Sequence, residues 1–263
     1  MHRRFTTLLT FVLFIGCSTV PISGRKQVNL YPESTMIEMS LTAYSEFLSE
    51  AQVVGDFDTQ AKMVQDVGNK ISAAVEEYMK NIKQTKRIEG FQWEFNLVND
   101  PTVNAWCMPG GKVVFYTGII PVCRDETGVA VVMGHEIAHA VARHGNERMS
   151  QAVVVNGAGA TLDILTSEKP GLARDLLLQS YGIGSALGTL AYSRSHESEA
   201  DQLGMVFMAM AGYDPGQAAA FWERMAEVGG SQPPEWLSTH PSNQRRIKDI
   251  EEFLPEAMKH YQK

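Results

Sequence analysis

Residues 127–150 read TGVAVVMGHEIAHAVARHGNERMS, and the prediction starts from this stretch. Its apolar residues recur at helical spacing and no proline interrupts them, which predicts one helix. Asp125 is the predicted N-cap, and Gly145 is the predicted stop at the C-terminal end. The pattern His135-Glu136-Ile137-Ala138-His139 lies within this helix, so its chemistry depends on helical geometry.

The two histidines of the pattern lie four residues apart, and on a helix they share one face about one turn (~6 Å) apart. Two imidazoles so placed can bind one tetrahedral metal ion. Zinc prefers such nitrogen ligands, and a catalytic zinc site combines three protein ligands with one water. Glu136 can take a proton from that water, whose pKa the metal lowers to ~7. The spacing predicts zinc ligation by His135 and His139, with Glu136 as general base. A purely structural metal domain is the alternative.

Composition bounds the class of protein. The chain has 263 residues, of which 44% are hydrophobic and 20% charged, as in a globular protein with a sizeable core. A net charge of -7 without a basic stripe argues against a nucleic-acid partner. Cys17, Cys107 and Cys123 form no C-x-x-C pair, which excludes a disulfide-rich scaffold and a cysteine zinc cluster. Cys107 and Cys123 either pair in an oxidising compartment or stay free as small buried side chains.

The N-terminus carries a targeting pattern. Residues 1–16 have a basic start and an apolar run from Phe5 to Ile15, which is typical of a signal peptide and too short to span a bilayer. Phe14-Ile15-Gly16-Cys17 resembles a bacterial lipobox, with Phe14 where leucine is usual, and predicts lipidation of Cys17. An ordinary secretory signal is the alternative. Residues 17–32 are the predicted tether, and Ser18 after the cysteine points, by resemblance, to the outer membrane of a two-membrane bacterium.

Helices and strands are predicted before the metal-binding stretch. Periodicity predicts helices over Glu33–Leu48 and Asp58–Met79, and alternation predicts strands over Phe91–Val98, Val103–Met108 and Lys112–Thr117. Pro109-Gly110-Gly111 joins the last two strands as a hairpin. The hairpin has two interpretations. Either it is structural, or its edge strand binds a peptide substrate by main-chain hydrogen bonds through Asn104, Ala105 and Trp106.

Acidic residues open a second important helix, predicted over Ser193–Ala211. Glu197 and Asp201 lie four apart on one face, as a third zinc ligand and a carboxylate that orients a ligating histidine would require. A solvated acidic first turn is the alternative. Glu199, about 200° around the helix from Glu197, competes for the ligand position. His144 and His196 are rival ligands by residue type.

Further predicted helices complete the chain: two within Gln151–Leu190, one over Gly216–Val228, and a last one with Ser242 as its N-cap.

Four motifs occur together in a known order: His135 to His139, Glu197-x-x-Ala200-Asp201, Asn104-Ala105 before Pro109-Gly110-Gly111, and Ser238-Thr239-His240-Pro241. This set resembles metallopeptidase family 48, the gluzincin family of HtpX and the CAAX prenyl proteases, and more narrowly its soluble, lipobox-bearing bacterial branch. The resemblance implies that Glu197 is the third zinc ligand and that Asp201 supports a ligand. It also implies that His240 stabilises the transition state or gates the zinc.

The sequence thus predicts a mostly helical α+β, zincin-like domain over residues 33–263, with a small hairpin over an active-site helix. The expected function is zinc-dependent endopeptidase hydrolysis of misfolded or misassembled envelope proteins, on the periplasmic side and at the outer membrane. A zinc-dependent chaperone or outer-membrane assembly factor with latent proteolysis is the alternative. Expected partners are protein substrates, the membrane through the lipid anchor, and outer-membrane assembly factors.

Overall fold

The structure is a computed structural model, and it describes residues 16–156, 170–181, 183, 192–228, 236–237, 240 and 244–262. The strands in these ranges are β1 Gly16–Thr19, β2 Lys26–Asn29, β3 Glu94–Val98, β4 Ala105–Met108 and β5 Lys112–Tyr116. The α-helices are α1 Glu33–Glu50, α2 Thr59–Asn81, α3 Ile120–Cys123, α4 Glu126–Ala142, α5 His144–Asn156, α6 Pro170–Ser180, α7 Arg194–Met210, α8 Gln217–Glu227 and α9 Gln244–Ala257.

The segment expected to be a tether forms a packed hairpin in the structure. Strands β1 and β2 pair antiparallel, with Cys17 opposite Val28. Val20 and Tyr31 are buried, and the Asn146 side chain on α5 donates to the Tyr31 carbonyl oxygen at 2.9 Å. Residues 18–32 therefore pack against the helical domain rather than leading away from it.

The two helices that precede the sheet begin where the sequence places their starts. The Asp58 side chain caps α2 by accepting hydrogen bonds from the backbone N–H groups of Gln60 and Ala61. Gly68 lets α2 approach the sheet closely, because a Cβ atom there would lie 2.4 Å from the ring of Phe95. Helix α2 thus packs directly on one face of the sheet.

The three-stranded sheet has the order β3–β5–β4. The predicted hairpin is confirmed, since β4 pairs antiparallel with β5 and the glycines of its turn have φ angles of +89° and +80°. Strand β3 pairs parallel with β5, Glu94 lying opposite Lys112. This order leaves β4 without a second neighbouring strand among the described residues, and β4 also contacts α4.

Helix α4 begins as predicted but ends earlier than expected. The Asp125 side chain accepts a hydrogen bond from the Gly128 N–H at 2.9 Å, which confirms the N-cap. The expected stop at Gly145 is wrong, because Arg143 takes the left-handed conformation (φ 63°) and ends the helix at Ala142. Arg143 also pairs with the half-buried Glu33 at 3.2 Å, which offsets the cost of that conformation. The chain then resumes as α5.

Helices α4 and α7 cross with their backbones in direct contact. Gly134 and Gly204 lie at the crossing, where a Cβ atom on Gly134 would lie 2.8 Å from the Gly204 carbonyl oxygen. Helices α2, α3, α5, α8 and α9 pack against this pair, whereas α1 and α6 pack against each other. The expected mostly helical, zincin-like α+β fold is confirmed. Within the described ranges, no helix combines the length and the apolar character needed to cross a membrane.

Candidate active site

Four buried side chains converge where α4 and α7 meet. His135 and His139 come from α4, Glu197 comes from the first turn of α7, and His240 lies shortly before α9. One ligand atom from each lies within 4.8 Å of all the others. None of the four residues is more than 3% exposed.

The separations between these atoms lie at, or up to about 0.3 Å below, those expected around a zinc ion. Zinc holds nitrogen and oxygen ligands at about 2.0–2.2 Å, so the donors of a tetrahedral site lie about 3.3–3.6 Å apart. His139 Nε2 lies 3.0 Å from His135 Nε2 and 3.3 Å from Glu197 Oε1. His240 Nδ1 lies 3.1 Å from both His135 Nε2 and Glu197 Oε1.

The hydrogen bond made by Nδ1 of each ligating histidine determines whether its Nε2 carries a lone pair for a metal. His135 Nδ1 donates to the Asp201 carboxylate at 3.0 Å, so its Nε2 presents a lone pair. His144 Nε2 donates to the Glu199 carboxylate at 3.0 Å, which leaves His144 Nδ1 to accept from His139 Nδ1 at 3.0 Å. The Nε2 lone pairs of His135 and His139 therefore face each other with no hydrogen between them. A cation at this point satisfies both.

Burial and charge keep these groups in the ionisation states that bind zinc. Burial lowers the pKa values of His135 and His139 well below the usual range, so both rings are neutral. Burial alone would raise the pKa of Glu197, but Arg246, whose Nη1 lies 2.6 Å from Glu197 Oε2, holds it well below its usual range. Two neutral imidazoles and a carboxylate are the donor set of a catalytic zinc site.

An arginine from α9 supports one side of this donor set. Arg246 donates to both oxygens of Asp201, at 2.8 Å from Nε and 2.7 Å from Nη2. Its guanidinium carbon lies 3.1 Å from the centroid of the Trp222 ring, which holds the group in place. Burial raises the pKa of Asp201 to about 6, an effect that Arg246 opposes. The carboxylate that Arg246 fixes is the one that orients His135.

Glu136 lies beside the four-residue cluster rather than in it. Trp236 Nε1 donates to Glu136 Oε1 at 2.8 Å, and His240 Nε2 lies 3.6 Å from the same oxygen. Burial raises the pKa of Glu136 to about 7, with His240 and Trp236 opposing the rise. A carboxyl group of this pKa can accept and return a proton at neutral pH.

The structure separates the competing residues of α7. Glu197 points into the cluster, whereas Glu199 points away from it and pairs with His144. His144 contacts His139 from behind, and His196 Nε2 lies 3.1 Å from Glu147 Oε2. Neither rival histidine belongs to the group that could hold a metal among the described residues.

The three residues predicted to bind substrate lie at the edge strand β4. Tyr116 N donates to the Asn104 carbonyl oxygen, and strand alternation then directs the main-chain groups of Ala105 and Cys107 away from β5. The Ala105 N–H is taken by the Asn104 side chain at 2.9 Å. Trp106 lies opposite Val114 of β5, so its main-chain groups face β5, and its ring packs on the face of the sheet away from that of Ala105.

Sequence reasoning missed several residues around the cluster. Arg246, Trp236 and Tyr192 were not singled out, although Tyr192 stacks on His139 with ring centroids 3.9 Å apart. Arg25 lies in the expected tether and was missed as well. The sequence signal for this surrounding network was the additional histidine His144, five residues after His139, and the additional acid Glu199, two residues after Glu197. Cys107 and Cys123 are both free and buried, and no side-chain position is described for Cys17.

Comparison with known proteins agrees with this geometry. Residues 67–254 match the model of peptidase family M48. The chain is 37% identical over 250 residues to the mitochondrial metalloendopeptidase OMA1 of Schizosaccharomyces pombe, covering 93% of this chain and 68% of that protein. It is 29% identical to the OMA1 metalloendopeptidase of Bos taurus, covering 97% of this chain and 49% of the relative. It is 30% identical over 165 residues to the beta-barrel assembly-enhancing protease of Escherichia coli, covering 60% of this chain and 33% of that protein. The chain belongs to peptidase family M48, and its chemistry is that of a zinc metalloendopeptidase.

Proposed function

We propose that the chain is a zinc-dependent endopeptidase of the bacterial cell envelope that cleaves periplasmic or outer-membrane proteins. The observation that carries the catalytic part is the convergence of His135 Nε2, His139 Nε2 and a Glu197 oxygen beside the Glu136 carboxylate. These three residues are the proposed metal ligands. When bound, zinc supplies a Lewis acid that lowers the pKa of a water molecule and polarises a peptide carbonyl.

The proton chemistry is assigned to Glu136. Its pKa of about 7 lets the carboxylate take the proton of the attacking water and return it to the leaving amine. Trp236 holds the carboxylate in one orientation by its indole N–H. His240 is assigned to the oxyanion of the transition state, because its Nε2 lies near Glu136 while its Nδ1 reaches the ligand atoms.

Substrate binding is assigned to the edge of β4 that faces away from β5, where no neighbouring strand lies in the part of the chain that the structure describes. An extended peptide could add to Ala105 and Cys107 by main-chain hydrogen bonds, which are independent of side-chain sequence. The Asn104 side chain would then release the Ala105 N–H that it now holds. This mode suits a protease whose substrates share an unfolded state rather than a sequence.

The envelope location is supported by the N-terminal pattern and by one group of relatives. Cys17 follows a basic start and an apolar run, as a lipidated cysteine does. The Escherichia coli relative is described as a protease that enhances beta-barrel assembly, which makes outer-membrane proteins and their assembly factors the proposed partners. Labelling with a radioactive fatty acid tests the anchor: label should enter the wild-type chain and be absent from Cys17→Ala. A wild-type chain without label would remove the anchor from the proposal.

A chaperone or assembly factor with latent proteolysis is the second candidate, and one observation favours it. His240 Nδ1 lies within ligand distance of its neighbours, so the cluster offers four protein donors where a catalytic site uses three and one open position. Strand β4 is also at most 1% exposed along its length. A substrate therefore needs some movement before it reaches the edge.

Digestion of unfolded casein tests the proposal. The purified chain should cleave casein, lose that activity with a chelator, and regain it with zinc. Glu136→Gln should keep zinc and lose ~10²–10⁴-fold in rate, because the amide cannot take the proton. Glu126→Gln, the same change at the exposed start of the same helix, is the matched control and should remain active. Suppression of casein aggregation without cleavage would favour the chaperone. Full activity of Glu136→Gln would remove Glu136 from the mechanism.

A further inference from the structure

Arg25 is held in one position by a closed turn between β1 and β2. Val20 N donates to the Arg25 carbonyl oxygen at 2.9 Å, and Gly24 N donates to the Val20 carbonyl oxygen at 3.1 Å. Gly24 has a φ of +68°, a conformation that glycine adopts without strain. The turn directs the Arg25 side chain towards α5 and α7, while the neighbouring Lys26 faces solvent.

The Arg25 guanidinium binds two carboxylates that are almost fully buried. Its Nη1 and Nη2 donate to the two oxygens of Glu147 at 2.6 and 2.8 Å. Its Nε and Nη2 donate to the two oxygens of Glu199 at 2.8 and 2.9 Å. Ser23, from the same turn, donates a further hydrogen bond to Glu199 at 2.5 Å. Paired bonds of this kind fix both the position and the orientation of a carboxylate.

The Glu199 carboxylate leads directly to a metal ligand. Its Oε2 accepts from His144 Nε2 at 3.0 Å, and His144 Nδ1 accepts from His139 Nδ1 at 3.0 Å. A protonated Nδ1 leaves the Nε2 lone pair of His139 for the metal. Hydrogen bonds of fixed direction therefore connect Arg25 through Glu199 and His144 to His139 Nδ1. They leave His139 Nε2 as the ligand atom.

The other metal histidine is held by the same kind of chain, one member shorter. His135 donates to Asp201, and Arg246 fixes both oxygens of Asp201. Carboxylates that receive a hydrogen bond from a ligating histidine raise its basicity and fix its ring. Arg25 thus fixes the carboxylate behind His139, as Arg246 fixes the carboxylate behind His135.

We propose that Arg25 is a positioning residue for the metal site, and that the N-terminal hairpin thereby completes the binding of zinc by His139. The inference deepens the proposed function and rests on its assignment of His139 as a ligand. It adds to the site a residue that lies outside the part of the chain matched by the family model, residues 67–254.

Removing Arg25 changes the site through Glu199. Two buried carboxylates then lose the cation that they share, and a buried charge without a partner is costly. Glu199, no longer fixed by the paired bonds from Arg25, can turn away from His144, which weakens its hold on the His144 ring. His139 then loses the acceptor that fixes its Nδ1 proton.

The test compares zinc affinity across variants of the full chain by competition with a chelator, with unfolding of the metal-free protein measured in parallel. Arg25→Ala should bind zinc ~10–100-fold more weakly, as loss of an outer partner does. Arg25→Lys should be intermediate, because lysine keeps the charge but not the paired geometry. Lys26→Ala, on the same strand, should bind zinc as the wild type does.

Two further comparisons separate positioning from simple docking of the hairpin. Ser150→Ala removes the acceptor of the Leu30 N–H and loosens the hairpin without touching Glu199, so it should lower stability and leave zinc affinity unchanged. Glu199→Gln should weaken zinc binding as Arg25→Ala does, and the double variant should be no weaker than either single one, because both changes break the same chain. Fully additive losses would overturn the proposal.

The outcomes also separate this inference from the proposed function. If His139→Ala binds zinc as tightly as the wild type, the ligand assignment fails and the positioning role falls with it. If His139→Ala loses zinc while Arg25→Ala retains wild-type affinity, only the positioning role is refuted. If Arg25→Ala does not fold, the zinc affinities of Arg25→Lys and Glu199→Gln test the proposal instead. Wild-type zinc affinity in both variants would refute the positioning role of Arg25.

Discussion

The glycine pair at the crossing of α4 and α7 sets the distance between the two halves of the metal site. A Cβ atom on Gly134 would lie 2.8 Å from the Gly204 carbonyl oxygen and 3.2 Å from the Gly204 Cα atom. Ordinary contact begins near 3.4 Å, so Gly134→Ala must separate the helices by about 0.6 Å. Metal ligands tolerate about 0.2 Å, so His135 and Glu197 would no longer reach one ion together without strain.

We therefore expect Gly134→Ala to lower zinc affinity at least ~10-fold, which corresponds to ~1.4 kcal/mol. Overpacking should also cost about 1–3 kcal/mol of stability, partly offset by up to ~1 kcal/mol from the better helix propensity of alanine. Chelator competition measures the first effect, and urea unfolding of the metal-free protein measures the second.

Gly171→Ala is the matched control for this prediction. Gly171 is an exposed glycine in α6, and a Cβ atom there meets nothing within 4 Å. The same substitution should leave zinc affinity unchanged and stability equal or slightly higher. A Gly134→Ala variant with wild-type stability and wild-type zinc affinity would show that close contact of the two helices does not set the geometry of the site.

Two further changes test the charges around the site. Asp201→Asn should lower zinc affinity ~10–100-fold by chelator competition, since an amide holds neither His135 nor Arg246 as the carboxylate does, and an unchanged affinity would contradict that role. Burial alone would raise the pKa of Glu147, but hydrogen bonds from Arg25 and His196 hold it well below its usual range. In acid, the unfolded chain binds a proton at Glu147 that the folded chain does not bind. The stability that Glu147 contributes is therefore complete above the unfolded pKa and is lost as the pH falls below it. The difference in urea unfolding between wild type and Glu147→Gln should accordingly be larger at pH ~7 than at ~3.5, and a difference that grows in acid would contradict the sign.

Local patterns allowed the core of the site to be predicted from the sequence. The four-residue spacing of His135 and His139 requires only a helix, and the Asp125 cap that starts this helix is itself a local signal. The argument that Glu197 and Glu199 face opposite ways also needed only helical geometry, and the structure places them so. These predictions concern groups that are close together in sequence, whereas the roles of Glu197 and His240 were implied by the family resemblance.

The C-terminal end of α4 and the pairing of β3 with β5 were harder to predict, each for its own physical reason. Arg143 ends α4 in a left-handed conformation that arginine rarely adopts, and its pairing with Glu33 is a contact between residues far apart in the chain. The parallel pairing of β3 with β5 leaves no local mark, because alternation is the same for parallel and antiparallel strands. Neither feature could be read from nearby residues.

Glu199 shows how a correct local argument can still miss a role. The sequence placed Glu199 in competition with Glu197 for one position on the metal and gave it no other partner. The structure gives it a different histidine, and the pairing depends on His144, which is 55 residues away. A buried acid needs a partner, and a surplus histidine next to a metal motif was the available hint.

The support of the metal site requires both ends of the chain. Helices α4 and α7 carry the proposed ligands, but two buried carboxylates beside them need arginines from elsewhere. Arg246 comes from α9, and Arg25 comes from the N-terminal hairpin, 174 residues before Glu199. The positioning proposal gives both arginines the same physical role, because a buried carboxylate can hold a histidine only while its own charge is compensated. A fragment that begins at Glu33 would keep the proposed ligands and lose Arg25, so the proposal predicts that this fragment binds zinc more weakly than the full chain does.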